Sequence, residues 1–162
     1  MNAKDSIRNA ILMSDRVITS YIQDLADPDL LIRAVPGMNP IAWQLGHLIA
    51  SERHFVELIK PGSCPPLPEG FADAHSAASA KDDDTSRYCS LAKYQELWKA
   101  QREATLAVLD EQSEADLDRE DPSYPSFAGS VGKMLHLCGL HATMHCGQFV
   151  AVRRLLGKPV AI

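Results

Sequence analysis

Leu140-His141-Ala142-Thr143-Met144-His145-Cys146-Gly147-Gln148 is the stretch from which the rest of the chain can be ordered. Its two histidines are four apart, so in a helix they leave one face, one turn above the other. The stretch lies in a longer run of helical periodicity. Ser130 can cap that run, and Gly157, with Pro159 just beyond, can end it near Leu156. Met134, Cys138, His141, His145, Val152 and Leu156 then form an inward stripe, with Gln148 at its edge. Two imidazoles from one helical turn are a common way to hold a transition metal, but the spacing alone is weak evidence.

Three more segments read as helices. Residues 3–25 place Ile7, Ile11, Ser14, Ile18, Ile22 and Leu25 at helical spacing, and Asp27-Pro28 stops the run. Asn39-Pro40 supplies an N-cap and a first helical residue for a helix to about Ile59, ended by Lys60-Pro61-Gly62. Its expected inward stripe is Trp43, His47, Ala50, His54 and Leu58. Ser90 caps a helix over about 91–111, with Leu91, Tyr94, Trp98, Thr105 and Val108 on its apolar side. Residues 60–89, rich in Pro, Gly, Ser, Ala and Asp, read as one long irregular connection. No strand pattern competes. The expectation is an all-α four-helix bundle in a single domain over 1–162.

Composition narrows the partners. A net charge of -5 with no Lys/Arg-rich run argues against a nucleic-acid binder driven by phosphate neutralisation. The apolar runs are too short for a membrane span. The N-terminus lacks the apolar core of a secretory signal, and Cys64, Cys89, Cys138 and Cys146 form no CxxC pair. Free thiols in a reducing cytoplasm are therefore expected.

His47 interrupts the expected buried stripe of the second helix, as His141 and His145 interrupt that of the fourth. A buried polar group without a partner costs roughly 1–3 kcal/mol. A divalent metal would satisfy all three at once, with a position left open for water or substrate. Local hydrogen bonds, or exposure at helix ends, would satisfy them without a metal. His136 falls on the outer side by helical angle. His54 lies two turns from His47, roughly 10 Å along the axis, and reads as pocket lining or a core histidine. His75, in the long connection, reads as solvated or as part of a lid. Cys138 could line the pocket, although a buried cysteine more often packs as a small hydrophobe. Cys146 is turned about 100° from His145. Glu52 is about 140° from His47 and should not face a metal.

Pro36-Gly37-Met38-Asn39-Pro40-Ile41-Ala42-Trp43-Gln44-Leu45-Gly46-His47-Leu48, followed by His141-x-x-x-His145-x-Gly147-Gln148 and a terminal Leu156-Gly157, resembles the DinB/YfiT-like superfamily. The resemblance spans nearly the whole chain. It implies an up-down-down-up bundle in which residues 60–89 cross over between helices two and three. It also implies a divalent metal, zinc or nickel, held by His47, His141 and His145, with Trp43, His54, Cys138 and Gln148 available to line a pocket. Many members carry a basic residue where this chain has Cys146. Characterised relatives include S-transferases and isomerases that use bacillithiol or mycothiol, and homodimers are common. The implied activity is metal-dependent activation of a low-molecular-weight thiol toward an electrophile. A metal-dependent hydrolase, a non-catalytic metal- or small-ligand-binding stress-response protein and a bundle whose histidines never bind metal are the alternatives.

Overall fold

A computed structural model describes residues 1–160. Its long helices are α1 (Ala3–Ile22), α2 (Ile41–Ile59), α4 (Leu91–Glu111) and α5 (Val131–Leu155); α3 (Phe71–Ala74) is a single turn. The only β pairing among the described residues is one isolated bridge between Glu120 and Ser130.

The helix starts follow local chemistry. Asn2 and Asp5 form a reciprocal capping box at α1. Ser90 and Ser130 accept the backbone N–H groups of Lys93 and Lys133 at the starts of α4 and α5. At α2 the start is one residue later than expected. Pro40 is extended, with ψ 157°, and holds the cap position. The Asn39 carbonyl instead accepts a hydrogen bond from the Gln44 side chain. α1 ends at Ile22 rather than near residue 25, and a 3-10 turn at Asp27–Leu31 seats Leu30 in the core.

Side-chain contacts give the helix directions. Gly139 of α5 meets Ala10 of α1, and Arg153 binds the Tyr21 carbonyl and Asp24, so α1 and α5 run parallel. α4 opposes α1, with Arg8 on Asp110 and Trp98 on Asp15. α2 runs with α4, since Thr105 bonds Glu52 and Lys60 pairs with Glu111. Gln44 reaches His145, while Phe55 meets Phe127 just before α5, so α2 opposes α5. The order of the long helices is therefore up-down-down-up. The α1–α5 crossing is close: a Cβ on Gly139 would lie 2.7 Å from the Ala10 backbone.

Two expectations are corrected. The buried face of α2 carries Ala42, Leu45, Ile49, Glu52 and Val56; His47 and Ala50 sit on its half-buried flank, and His54 is exposed. The first turns of α2 are covered on nearly every side, which blurs the amphipathic signal. Residues 60–89 are also not simply irregular and wet. α3 and a 3-10 turn at Ala77–Ser79 bury Phe71, Ala74, His75 and Ser79 against α2 and α4. Gly70 enters α3 through a left-handed conformation, φ 72°, that a side chain would strain.

Candidate metal centre

Because α2 and α5 are antiparallel, His47 near the start of α2 meets His141 and His145 in the middle of α5. The ring centroids are 5.2 Å apart for His47–His141, 5.4 Å for His47–His145 and 4.9 Å for His141–His145. One nitrogen from each ring lies within 4.8 Å of the others. All three residues are half-buried, so the cluster occupies the rim of the core rather than its centre. Among the described residues, no Cys, Asp or Glu joins this set.

Two of the rings are held by hydrogen bonds that set their tautomers. The buried Gln44 amide donates to the Asn39 carbonyl at 2.7 Å, so its Oε1 faces His145. His145 Nδ1–H donates to that oxygen at 2.9 Å, which leaves Nε2 with its lone pair. His47 Nδ1–H donates to the His75 carbonyl at 3.3 Å, again leaving Nε2 free. Trp43 stacks on the His47 ring at 4.7 Å, nearly parallel at 8°, and its indole N–H donates to Ser79. Gln44, His75 and Ser79 were not identified as site residues from sequence. Gln44 carries a faint signal as a polar residue within an apolar run, His75 reads in the sequence as solvated or as part of a lid, and Ser79 carries no signal.

Electrostatics keep the donors neutral. Burial, reinforced by neighbouring histidines, lowers the pKa of His141 and of His145 to about 4. Burial also lowers that of His47, against the opposing hydrogen bond to His75. Neutral imidazoles with fixed tautomers suit a divalent ion, and three of them leave a coordination position open. The donor set, three neutral imidazole nitrogens, fits such an ion.

The shifts predict an acid sensitivity. The unfolded chain takes up protons on these histidines near pH 6.5, whereas the folded chain resists them down to about pH 4. Metal-free protein should lose stability as pH falls through that window. A His141→Gln/His145→Gln variant should lose less; denaturant midpoints at pH 7 and pH 4.5 test this, and equal losses in the two proteins would refute it.

Other candidates are placed as follows. A cavity of about 230 Å³ opens beside His47, with His54, Ser51, His75 and Ser76 on its walls. A larger one, of about 430 Å³, lies between α1 and α4 and includes none of the three histidines. Of the three clustered histidines only His47 lines the smaller cavity, and that adjacency makes it the functional candidate. Cys138 is not on its wall. Its thiol is buried in the core, donates to the Met134 carbonyl and is pushed well above the usual range by burial and by Glu52. Three residues before His141, it is turned about 60° toward the core. Cys146 is likewise buried, with its thiol pushed up to about 12. Gln148 is exposed; the carboxamide that reaches the cluster belongs to Gln44. His75 is 1% exposed, not solvated.

Fold and site together define a four-helix bundle with an open three-histidine centre between two antiparallel helices. The sequence profile of the DinB superfamily matches residues 13–149, and the chain belongs to that superfamily. No curated protein matches the chain in sequence.

Proposed function

We propose that this protein is a metal-dependent enzyme that activates a low-molecular-weight thiol and transfers its sulfur to an electrophile. The observation that supports this most is the set of neutral imidazoles, His47, His141 and His145, of which His47 also borders a cavity. A bound divalent ion, zinc or nickel by its preference for imidazole, supplies Lewis acidity that lowers the pKa of a thiol. The thiol has to come from outside. Cys138 and Cys146 are buried, and burial raises the pKa of all four cysteines, so none is poised as a thiolate.

The chain's own residues orient and shield. Gln44 and the His75 carbonyl fix two imidazoles, and Trp43 covers one face of His47. Apart from its histidines the cavity wall has no ionisable side chain, which favours a small, weakly polar electrophile. The thiol gives up its proton to solvent. A carbon–sulfur bond then forms as the leaving group departs with its electron pair.

Hydrolysis is less well served. Glu52, the acid nearest in sequence to His47, is tied to Thr105 and Arg102 in the core and cannot act as base at the cluster. No helix among the described residues is long and apolar enough to cross a membrane. A cytoplasmic location matches the free cysteines. A homodimer agrees with the exposed Leu140 and Met144 on α5 and Leu12 and Met13 on α1.

The test is a panel of bacillithiol, mycothiol, glutathione and simple thiols against chlorodinitrobenzene, with zinc- or nickel-loaded and metal-free protein. Metal-dependent thioether formation is expected. Turnover that ignores the metal would overturn the mechanism. Tight metal binding with no turnover across the panel would favour a non-catalytic binding protein.

A further inference from the structure

His75 belongs to the crossover, not to the histidine cluster, yet its surroundings are fully specified. Its ring Nδ1–H donates to the Phe71 carbonyl at 2.7 Å. Since Nδ1 carries the proton, Nε2 accepts from the Tyr94 hydroxyl at 2.8 Å, and that hydroxyl accepts from the Cys89 backbone N–H at 3.2 Å. Every polar atom of this buried ring therefore has a partner. The ring also lies flush against α2: a Cβ on Gly46 would lie 2.1 Å from the imidazole, so only glycine admits it there. Gly46 immediately precedes His47. The backbone carbonyl of this same His75 accepts the Nδ1–H of His47. Four residues on, Ser79 receives the indole N–H of Trp43, the ring stacked on His47, and its single hydroxyl proton lies between the Ala74 and Ser76 carbonyls.

We propose that His75 is a positioning residue for the centre: by locking the crossover against Gly46 and Tyr94, it holds its own carbonyl where it keeps His47 in the Nδ1–H tautomer with Nε2 free for the ion. The metal part of this inference rests on the reading of His47, His141 and His145 as ligands; the tautomer part does not. A half-buried histidine without that bond would exchange between tautomers and rotamers, and the ion would have to select one. Tyr94 extends the device to α4. Hydrogen bonds from a ligand's second nitrogen commonly govern metal affinity by 10–100-fold, and here that bond is supplied by the backbone of a connecting segment.

The experiment uses full-length, tag-free protein with ¹⁵N-labelled histidines. Long-range ¹⁵N–¹H spectra of the metal-free protein at pH 7.5 report the tautomer of His47, assigned by loss of its signals in His47→Ala. Zinc affinity is then measured by chelator competition. In wild type His47 should be the Nδ1–H tautomer. In His75→Phe it should become a mixture, with zinc bound roughly 10–100-fold more weakly. Tyr94→Phe, which removes one hydroxyl and keeps the ring, should move both readouts in the same direction by less. Lys81→Ala, an exposed side chain in the same crossover, should move neither. If His75→Phe does not fold, Tyr94→Phe decides.

Wild-type tautomer and wild-type affinity in the variants would overturn the proposal while leaving the metal reading intact. A loss of affinity with the tautomer unchanged would overturn it too. A shifted tautomer in a protein that binds no zinc would sustain the positioning of His47 and overturn the metal reading alone.

Discussion

The His141→Ala/His145→Ala protein should come off purification without stoichiometric metal, where the wild type, expressed without a histidine tag, carries about one divalent ion per chain. One remaining imidazole cannot replace three donors brought within 4.8 Å of one another. Thermal behaviour gives a second readout. An ion that binds only the folded chain stabilises it by about 2.7 kcal/mol at a free concentration one hundred times its Kd. For a chain of this length, that raises Tm by about 5–10 °C. The variant should show no such rise. Its metal-free stability should fall by about 1–3 kcal/mol, because His145→Ala leaves the buried Gln44 Oε1 without its partner. Elemental analysis and melting curves with and without zinc decide the matter. Metal retained by the variant, or absent from the wild type, would remove the centre.

Arg102→Leu should be the most damaging single substitution in the core. Glu52 and Arg102 are about 3% and 4% exposed, and their closest charged atoms are 3.4 Å apart. Glu52 also accepts from Thr105 at 2.6 Å, and Arg102 donates to the Cys138 carbonyl while stacking 4.1 Å from the Trp98 ring centroid. Removing the guanidinium leaves a carboxylate buried without a counter-charge, which costs about 3–5 kcal/mol. Burial already raises the pKa of Glu52 against the lowering effect of Arg102, and without Arg102 it rises further. A carboxyl with a raised folded pKa contributes stability at low pH that is lost as pH rises through that value. The defect should therefore be larger at pH 8 than at pH 5. Glu52→Leu/Arg102→Leu together should recover most of the loss, since an apolar pair needs no desolvation of charge. Urea unfolding at both pH values is the measurement. A single variant within about 1 kcal/mol of wild type at pH 8 would show that the pair carries little.

The sequence alone carried the elements that local chemistry controls. Ser90 and Ser130 announce two helix starts because a hydroxyl at that position serves an otherwise orphan N–H. The wide interval from His47 to His141 hid nothing, because all three histidines stood out among apolar neighbours. What escaped was whatever depends on distant packing. Arg102 and Gln101 lie on the buried face of α4, where a polar residue reads as solvent-facing unless its partner is known, and for Arg102 that partner is Glu52 on another helix. The α2 stripe was rotated because the crossover buries its outer face as well as its inner one. His75 sits in a segment rich in alanine, serine and aspartate with no periodicity, and only the fold shows that it closes against Gly46.

The antiparallel meeting of α2 and α5 has a consequence for the timing of metal capture. In an unfolded chain, position 47 is about a hundred residues from position 141, and closing a loop of that size costs roughly 4–5 kcal/mol of chain entropy. Before α5 is seated, an ion can meet only the neighbouring pair His141 and His145. Full affinity belongs to the completed bundle. An ion held by all three histidines would therefore mark a chain whose last helix has docked.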